Sequence, residues 1–500
     1  MTTKLDQNTI RAKIAKLSLP TLAFIDGKDS PSSDGNTQCP INPANGRPLA
    51  QVAACTHQDV DRAIQAARRA FEQGCWSRLH PSDRKKVMLK FVDLVEKHST
   101  ELALMDSLSA GKPISDTIGI DLPDTVACLQ WHAELVDKLY DKTAPTGLSN
   151  PCMIVREPIG VVGLIVPWNF PVQMAAWKLG PALAAGNSVV LKPASQTPFS
   201  AIRLAQLAWQ AGLPPGVFNV IPGEGSTVGK AICCHMDVDM VAFTGSTEIG
   251  RQLLRYSAHS NLKRVILELG GKSPQIVFAD APDLDLVAQH VANAAFWNMG
   301  ENCSCGSRLI VQANVKDELL QRVIKQVRSW PVGDPLDPKT RLGPLITSAH
   351  MYKVLDYITA GTQEGARCLL GGNQILQDTG GWFVEATIFD QVQNHMRIAR
   401  EEIFGPVLSI MTFDTEDQAI RLANDTNYGL AASLYTTDIS RANRVARALR
   451  AGTVSVNCYS EGDVTTPFGG FKESGLFGRD KSIYAHLQYT ELKTIWMQLL

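Results

Sequence analysis

The sequence predicts an α/β protein: a Rossmann-like open parallel sheet, a second α/β domain and a small β flap for oligomerisation. Three observations predict it. Apolar, β-branched runs alternate with helical patterns at roughly 25-residue spacing, as βαβ units require. Those runs are continuously apolar, as strands buried on both faces are. The chain has 500 residues, more than a single core sustains.

The elements follow in order. The N-terminal MTTKLDQNTIRAKIAKLSLP carries Asp6 early and has no apolar centre, so it reads as a surface helix and not as a secretory signal. VVGLIV (161–166) is the first buried strand. After PWNFP, the helical pattern VQMAAWKLGPALAAG stops at Gly186. NSVVLKP, GVFNVIPG, DVDMVAFTG and KRVILELGG are four more strands. FSAIRLAQLAWQAG, STVGKAICC and TEIGRQLLRYSA are the helices between them. A second alternating stretch begins just after residue 269 with QIVFAD, a helix around DLDLVAQHVANAAFW, strand SRLIVQA and helix KDELLQRVIKQVRSW. Beyond a Gly/Pro-rich middle, VLSIMTF, LAASLYT and GTVSVN continue it, with helices through AIRLAN and RANRVARAL. MIVREP (153–158) and QYTELKTIWMQLL alternate polar and apolar side chains, so each reads as an edge strand in want of a partner.

Composition excludes several functions. Net charge is −1 with both signs mixed along the chain, which argues against nucleic acid as a partner. No window reaches about 18 uninterrupted apolar residues, which argues against a membrane span. Eleven cysteines, an odd number without framework spacing, imply free thiols and a reducing compartment, by default the cytoplasm.

Ligands of open parallel sheets sit beyond the strand carboxyl ends. Four loops meet that condition. FTGSTEIG (243–250) leads into a helix start, with Gly245 for close backbone approach and Ser246 as a cap. GEGSTVG (223–229) is a second small-residue turn around Gly225; neither is a GxGxxG, and either also serves as a plain βα connection. Lys192 closes the strand LKPAS at the ligand edge, and in PWNFP two prolines fix the backbone around Asn169.

FWNMGENCSCGSR (296–308) sets Cys303 and Cys305 in a loop of small residues. A disulfide between them closes a tiny, strained ring. Metal binding lacks partners, because no CxxC or HxxxH lies nearby and Cys233-Cys234-His235 are adjacent rather than staggered, so no metal is expected. A thiolate nucleophile and an inert buried pair both remain open at this point. Glu268 ends an apolar strand before Gly270 and Gly271, and reads equally as a general base with a raised pKa or as a paired strand-end carboxylate.

Taken together, FWNMGENCSCGSR, LELGGKSP, PWNFP, FTGST, EEIFGPV (401–407) and PFGGFKESG (467–475) resemble the aldehyde dehydrogenase superfamily, in order and at its spacing, from about residue 20 onward. The resemblance implies NAD- or NADP-dependent oxidation of an aldehyde to an acid. It implies Cys303 as the nucleophile that forms a thiohemiacetal and then a thioester. Asn169, with the Cys303 backbone N–H, is then the oxyanion donor, a kind of group worth roughly 10²–10³ in rate. Glu268 is the base that activates water, and its presence favours hydrolysis over acyl transfer to coenzyme A. Lys178 matches a lysine that assists proton transfer near that carboxylate. Cofactor contacts fall on Val166, Pro167, Trp168, Lys192, Ser195, Gly225, Gly229, Phe243, Thr244, Gly245, Ser246, Leu269, Glu402 and Phe404. The implied domains are 1–140 with 160–268 for the dinucleotide, 269–484 for catalysis, and 141–159 with 485–500 as the flap of a homodimer or homotetramer.

Two departures stand out. Ser195 replaces the glutamate that many NAD-specific members place three residues after the lysine, which leaves NADP admissible. Asp480 stands where many relatives carry glutamate, and its shorter side chain makes a link to Lys178 less secure. For the substrate, Trp177, Tyr459 and Phe468 are expected as tunnel walls, and Glu461, Asp463 and Asp121 as acids for a cation, with Asp116 and Asp124 on the same entrance segment. No arginine occurs in NCYSEGDVTTPF, which disfavours succinate semialdehyde. NCYSEGDVTTPFGGFK and ELKTIW are similar to bacterial dehydrogenases of γ-glutamyl-γ-aminobutyraldehyde, guanidinobutyraldehyde and aminobutyraldehyde. The expected substrate is therefore an ω-amino or γ-glutamylamino aldehyde of polyamine or arginine breakdown. Succinate semialdehyde, betaine aldehyde or a broad aliphatic range is the alternative.

Overall fold

The computed structural model describes residues 6–460 and 462–499. Two large sheets and a three-stranded sheet organise them, beside three two-stranded pairs. The first sheet runs, edge to edge, through Lys28–Ser30, Ala23–Ile25, Phe218–Val220, Ser188–Lys192, Val161–Ile165, Met240–Thr244, Arg264–Glu268 and Gly475–Leu476. Its five central strands are parallel and are the five read from the sequence. Alternate residues feed different cores: Val162 and Leu164 enter one apolar cluster, Val161 and Ile165 the other. Burial on both faces is why these strands carry no polar alternation.

Strand order reverses at Val161–Ile165, which pairs with Ser188–Lys192 on one side and Met240–Thr244 on the other. A reversal leaves a crevice beyond the carboxyl ends of the two diverging strands. The loops that begin at Val166 and Gly245 open into it.

The second sheet runs Arg367–Leu370, Thr387–Asp390, Val407–Phe413, Arg308–Gln312, Pro274–Val277, Ala431–Tyr435 and Thr453–Val456. All but the Arg367–Leu370 edge are parallel. The chain crosses from the first sheet to the second through residues 269–273, which are all buried. It then returns once, pairing Leu476 with Leu267 and Gly475 with Glu268, so the strand that carries Glu268 is covered by the C-terminal part of the chain.

The two arms find each other. Thr490–Trp496 pairs antiparallel with Cys152–Pro158 along its full length, and Lys142–Ala144 adds a third strand. Met153, Leu492 and Trp496 remain exposed on this small sheet. The N-terminal stretch forms the short helix Gln7–Ile14, capped by Asp6. Among the described residues no helix is long and apolar enough to cross a membrane.

Candidate active site

The helix Leu284–Phe296 ends in a turn that reverses the chain. Asn298, Met299 and Gly300 hold φ of 51°, 57° and 69°, three left-handed residues in a row. Such backbone persists only where its surroundings over-determine it. Here the Asn298 amide donates to the Glu301 carbonyl at 2.9 Å and to the Asn169 carbonyl at 3.3 Å. The Asn169 amide donates to the same Glu301 carbonyl at 3.0 Å. A side chain at Gly300 would place its Cβ 2.2 Å from the Gly405 oxygen, so only glycine lets the two loops touch. The turn delivers Cys303, half-buried, to the wall of a cavity of about 240 Å³.

That cavity lies in the strand-reversal crevice. Pro167, Trp168 and Asn169 line one side, Thr244, Gly245 and Ser246 another, and Leu269, Gly270, Glu402 and Phe404 close it. Glu402 lies across the interdomain glycines: its carboxylate accepts from the Gly271 N–H at 2.9 Å, and a Cβ on Gly270 would meet it at 2.2 Å. Burial pushes the Glu402 carboxyl up to about 7. Phe404 holds φ of 59° and sets its ring edge-on to Trp168, with centroids 5.3 Å apart. His350 and Lys353 line the same cavity, and the sequence had given no sign of either. Both lie on the helix Ser348–Gln363, within the Gly/Pro-rich middle where the sequence reading places no element.

Lys192, Ser195, Gly225 and Gly229 gather beside this cavity rather than in it, and Val166 and Phe243 also lie outside its lining. Ser195 Oγ donates to the Gly223 carbonyl at 3.1 Å, and Gly229 approaches the Lys192 stem. Phe243 sits beneath Gly245, where a Cβ would meet its ring at 2.4 Å. Burial lowers the Lys192 ammonium to about 8, against the opposing charge of Glu224. Glu224 thus supplies a carboxylate near the lysine although Ser195 does not. These groups fit a dinucleotide. The Thr244 hydroxyl is buried without a partner among the described residues, and the space over Gly225 is open. A lysine stands at the strand end, and glycines allow close approach at 245 and 270.

Glu268 is buried, and neither of its oxygens finds a hydrogen bond among the described residues. It lines neither cavity. A Cβ on Gly469 would meet its carboxylate at 2.6 Å, so the PFGG glycine leaves it room. Desolvation by burial raises its carboxyl well above the ordinary range, and Asp480 raises it further, opposed by Lys178 and Arg479. Lys178 Nζ and Asp480 Oδ2 pair at 2.9 Å, both buried. The shorter aspartate therefore does reach the lysine, contrary to the expectation from its length. Cys305 is fully buried. Its thiol donates to the Ala295 carbonyl at 3.4 Å, and burial pushes its pKa up to about 12.

On the other side of the thiol turn lies a larger cavity of about 440 Å³. Trp177, Trp297 and Tyr459 give it aromatic walls, with Asp116 and Asp124 among them. Trp177 Nε1 and Gln173 Nε2 both donate to Asp124 Oδ2, at 2.6 and 2.8 Å. Phe468 stands behind Trp177 with ring centroids 5.3 Å apart, outside the lining.

Two of the expected acids are corrected. Asp121 is fully buried and pairs with Lys112 at 2.6 Å; Lys112 also stands 3.5 Å from the centre of the Phe170 ring. Its helix is widened by a π turn at Thr117–Asp121, which puts Asp116, Ile120 and Asp124 along the cavity and turns Asp121 inward. Asp463 is exposed and absent from the lining; its carboxylate accepts from the Thr465 N–H at 2.8 Å. Glu461 lies outside the described residues. The segment 457–468 carries no arginine, yet the cavity gains Arg341 and Lys481 from elsewhere in the chain. Arg341 donates to Asn293 at 3.3 Å, and Lys481 Nζ lies 4.8 Å from the centre of the Trp177 ring.

Known proteins match this arrangement over nearly the whole chain. The profile of the aldehyde dehydrogenase family matches residues 31–495. Aminoacetaldehyde dehydrogenase of Pseudomonas aeruginosa is 56% identical over 497 residues, 99% of each chain. The structure of an indole-3-acetaldehyde dehydrogenase variant of P. syringae, in complex with NAD+ and IAA, superposes with a TM-score of 0.98 at 54% identity, covering 99% of this chain and 100% of that one. The structure of γ-glutamyl-γ-aminobutyraldehyde dehydrogenase from Burkholderia cenocepacia does so with a TM-score of 0.97 at 50% identity, again over 99% and 100%. The chain belongs to the aldehyde dehydrogenase family.

Proposed function

We propose that this aldehyde dehydrogenase oxidises small aldehydes bearing an ω-amino or acylated amino group, the kind released in polyamine and arginine breakdown, with Cys303 as its nucleophile. The observation that carries the mechanism is that Cys303, Asn169 and Glu402 line one cavity. The Cys303 thiolate attacks the aldehyde carbon, and the carbonyl electron pair moves onto oxygen. The Asn169 amide and the Cys303 backbone N–H donate to that oxygen as its charge develops. Lys192 and the 223–229 and 244–246 turns would hold the adenosine and phosphate end of the dinucleotide, and Glu402 and Phe404 the nicotinamide end. Bound there, the dinucleotide supplies the acceptor for the hydrogen and two electrons that the aldehyde gives up. A thioester on Cys303 remains. Glu268 takes a proton from water, water adds to the thioester carbon, and the carbon–sulfur bond breaks to free the acid and the thiolate. Burial and Asp480 raise the Glu268 carboxyl, the direction that makes it a stronger base.

Asp116 and Asp124, set among aromatic walls, support the amine tail. Those walls also favour a second reading, an indole-like aldehyde, and the carboxylates separate the two. The exposed Met153, Leu492 and Trp496 of the small sheet support a homodimer or homotetramer joined through it. The cytoplasm is the compartment that free thiols suit.

The test compares kcat/KM for aminoacetaldehyde, γ-aminobutyraldehyde, their chain-matched neutral aldehydes and indole-3-acetaldehyde, by cofactor reduction. The amine is expected to win by about tenfold over its neutral match. Indifference to the amine, or preference for the indole, would sink the amine reading.

A further inference from the structure

We infer that Glu301 and His350 form a brace between the thiol turn, 297–303, and the nicotinamide-side loop, 402–406, so that cofactor seating and the alignment of Asn169 are mechanically coupled. The proposal rests on the reading of Cys303, Glu402 and Phe404 given above and adds two positioning residues to it.

His350 opens the helix Ser348–Gln363 and reaches both loops. Its Nε2 donates to the Phe404 carbonyl at 2.6 Å and lies 3.6 Å from Glu301 Oε1. A carbonyl can only accept, so Nε2 carries the proton. Glu301 Oε1 also accepts from the Ile346 N–H at 3.0 Å, which ties the thiol turn to the approach of the His350 helix. The backbone carbonyl of Glu301 is the atom that holds the Asn169 and Asn298 amides. One residue thus meets the oxyanion donor through its main chain and the brace through its side chain.

The two loops are also in direct contact, since a Cβ on Gly300 would lie 2.2 Å from the Gly405 oxygen and 2.5 Å from its carbonyl carbon. Each carries backbone that needs support: Asn298 and Met299 on one side, Phe404 on the other, all with positive φ. The His350 ring is further fixed between Trp168 and Phe404, with centroid distances of 5.7 and 6.2 Å. Burial pushes His350 down to about 4, so near neutral pH the ring is neutral and its Nε2 proton goes to the Phe404 carbonyl, while the hydrogen bond that ties Glu301 to this helix is the one from the Ile346 N–H. Movement of the Phe404 carbonyl on cofactor binding is passed through His350 and its helix start to the Ile346 N–H, from there to Glu301, and so to Asn169.

The test reads this coupling without turnover. Alkylation of Cys303 by iodoacetamide is followed by peptide mass with and without NAD, and NAD affinity is measured by tryptophan fluorescence. In the unaltered enzyme NAD is expected to change the alkylation rate several-fold. In His350→Leu the ratio should fall to about one and NAD should bind about tenfold more weakly. His350→Gln, which can again donate to the Phe404 carbonyl, should restore both to within about threefold. If His350→Leu does not fold, His350→Asn, polar but too short for that carbonyl, takes its place. An unchanged ratio with unchanged NAD affinity, in an enzyme whose activity still depends on Cys303, would overturn the brace alone. An active Cys303→Ser enzyme would overturn the reading beneath it, and the brace with it.

Discussion

On one side of the 297–303 turn glycines bring backbone into the cavity wall beside the side chains; on the other, aromatic and charged side chains make most of the wall. The cofactor-side cavity is shaped by glycines at 245 and 270, by the strand end at Thr244 and by the proline-fixed loop before Asn169. The mouth draws Asp116 and Asp124 from one helix, Trp177 from a second, Trp297 from the thiol turn, and Arg341, Tyr459 and Lys481 from three more segments. The difference teaches where each function is stored. Chemistry common to all aldehydes needs close backbone approach and fixed dipoles, which short contiguous motifs encode. Choice among aldehydes needs charge and shape assembled from distant segments.

The sharpest way to break this contrast is to mutate two acids from one helix. Asp121 and Asp124 are three residues apart, yet one partners a buried lysine and the other faces the mouth. Asp121→Asn leaves Lys112 buried without its counter-charge and is expected to cost about 3–5 kcal/mol in denaturant unfolding, with KM for amines unchanged in the folded fraction. Asn169→Ala, on the backbone-built side, should lower kcat by about 10²–10³ for every aldehyde alike. Asp124→Asn should leave neutral aldehydes almost untouched and lower kcat/KM for amines by about tenfold. If Asp124→Asn slows all substrates equally, the mouth is not where selection occurs.

Smaller effects sharpen the account. Glu268 must be ionised to act, and burial with Asp480 raises its carboxyl, so acid release should increase with pH beyond the ordinary carboxylate range. Asp480→Asn removes one raising charge and leaves Lys178 opposing, so the rising limb of the pH–rate profile should move to lower pH. A limb that stays in place assigns it to another group. At the adenosine end, Glu224→Gln should raise kcat/KM for NADP relative to NAD by about threefold, since one half-screened charge is at stake.

Much of this was legible in the sequence. The five buried strands announced themselves as unbroken apolar runs, and Cys303 and Asn169 stood in short motifs that the fold brings to one cavity. Asp121 was misread because a single π turn shifts which residues share a helix face, and nothing in TIGID signals it. Asp463 was misread because its carboxylate serves a local turn. His350, Arg341 and Lys481 were missed because their roles depend on contacts far along the chain: His350 matters through Phe404, 54 residues away. The two arms were read as strands, and their pairing with each other was a fact of topology that alternation alone does not carry.

The central claim is that Cys303 carries the acyl group and Glu268 releases it. Glu268→Gln should stall release, so the direct measurement is the peptide mass of this variant, acid-quenched after exposure to aminoaldehyde and NAD. The account predicts an acyl adduct on the Cys303 peptide, with about one equivalent of reduced cofactor formed per subunit. An unmodified Cys303, or an adduct on Cys305, would contradict it.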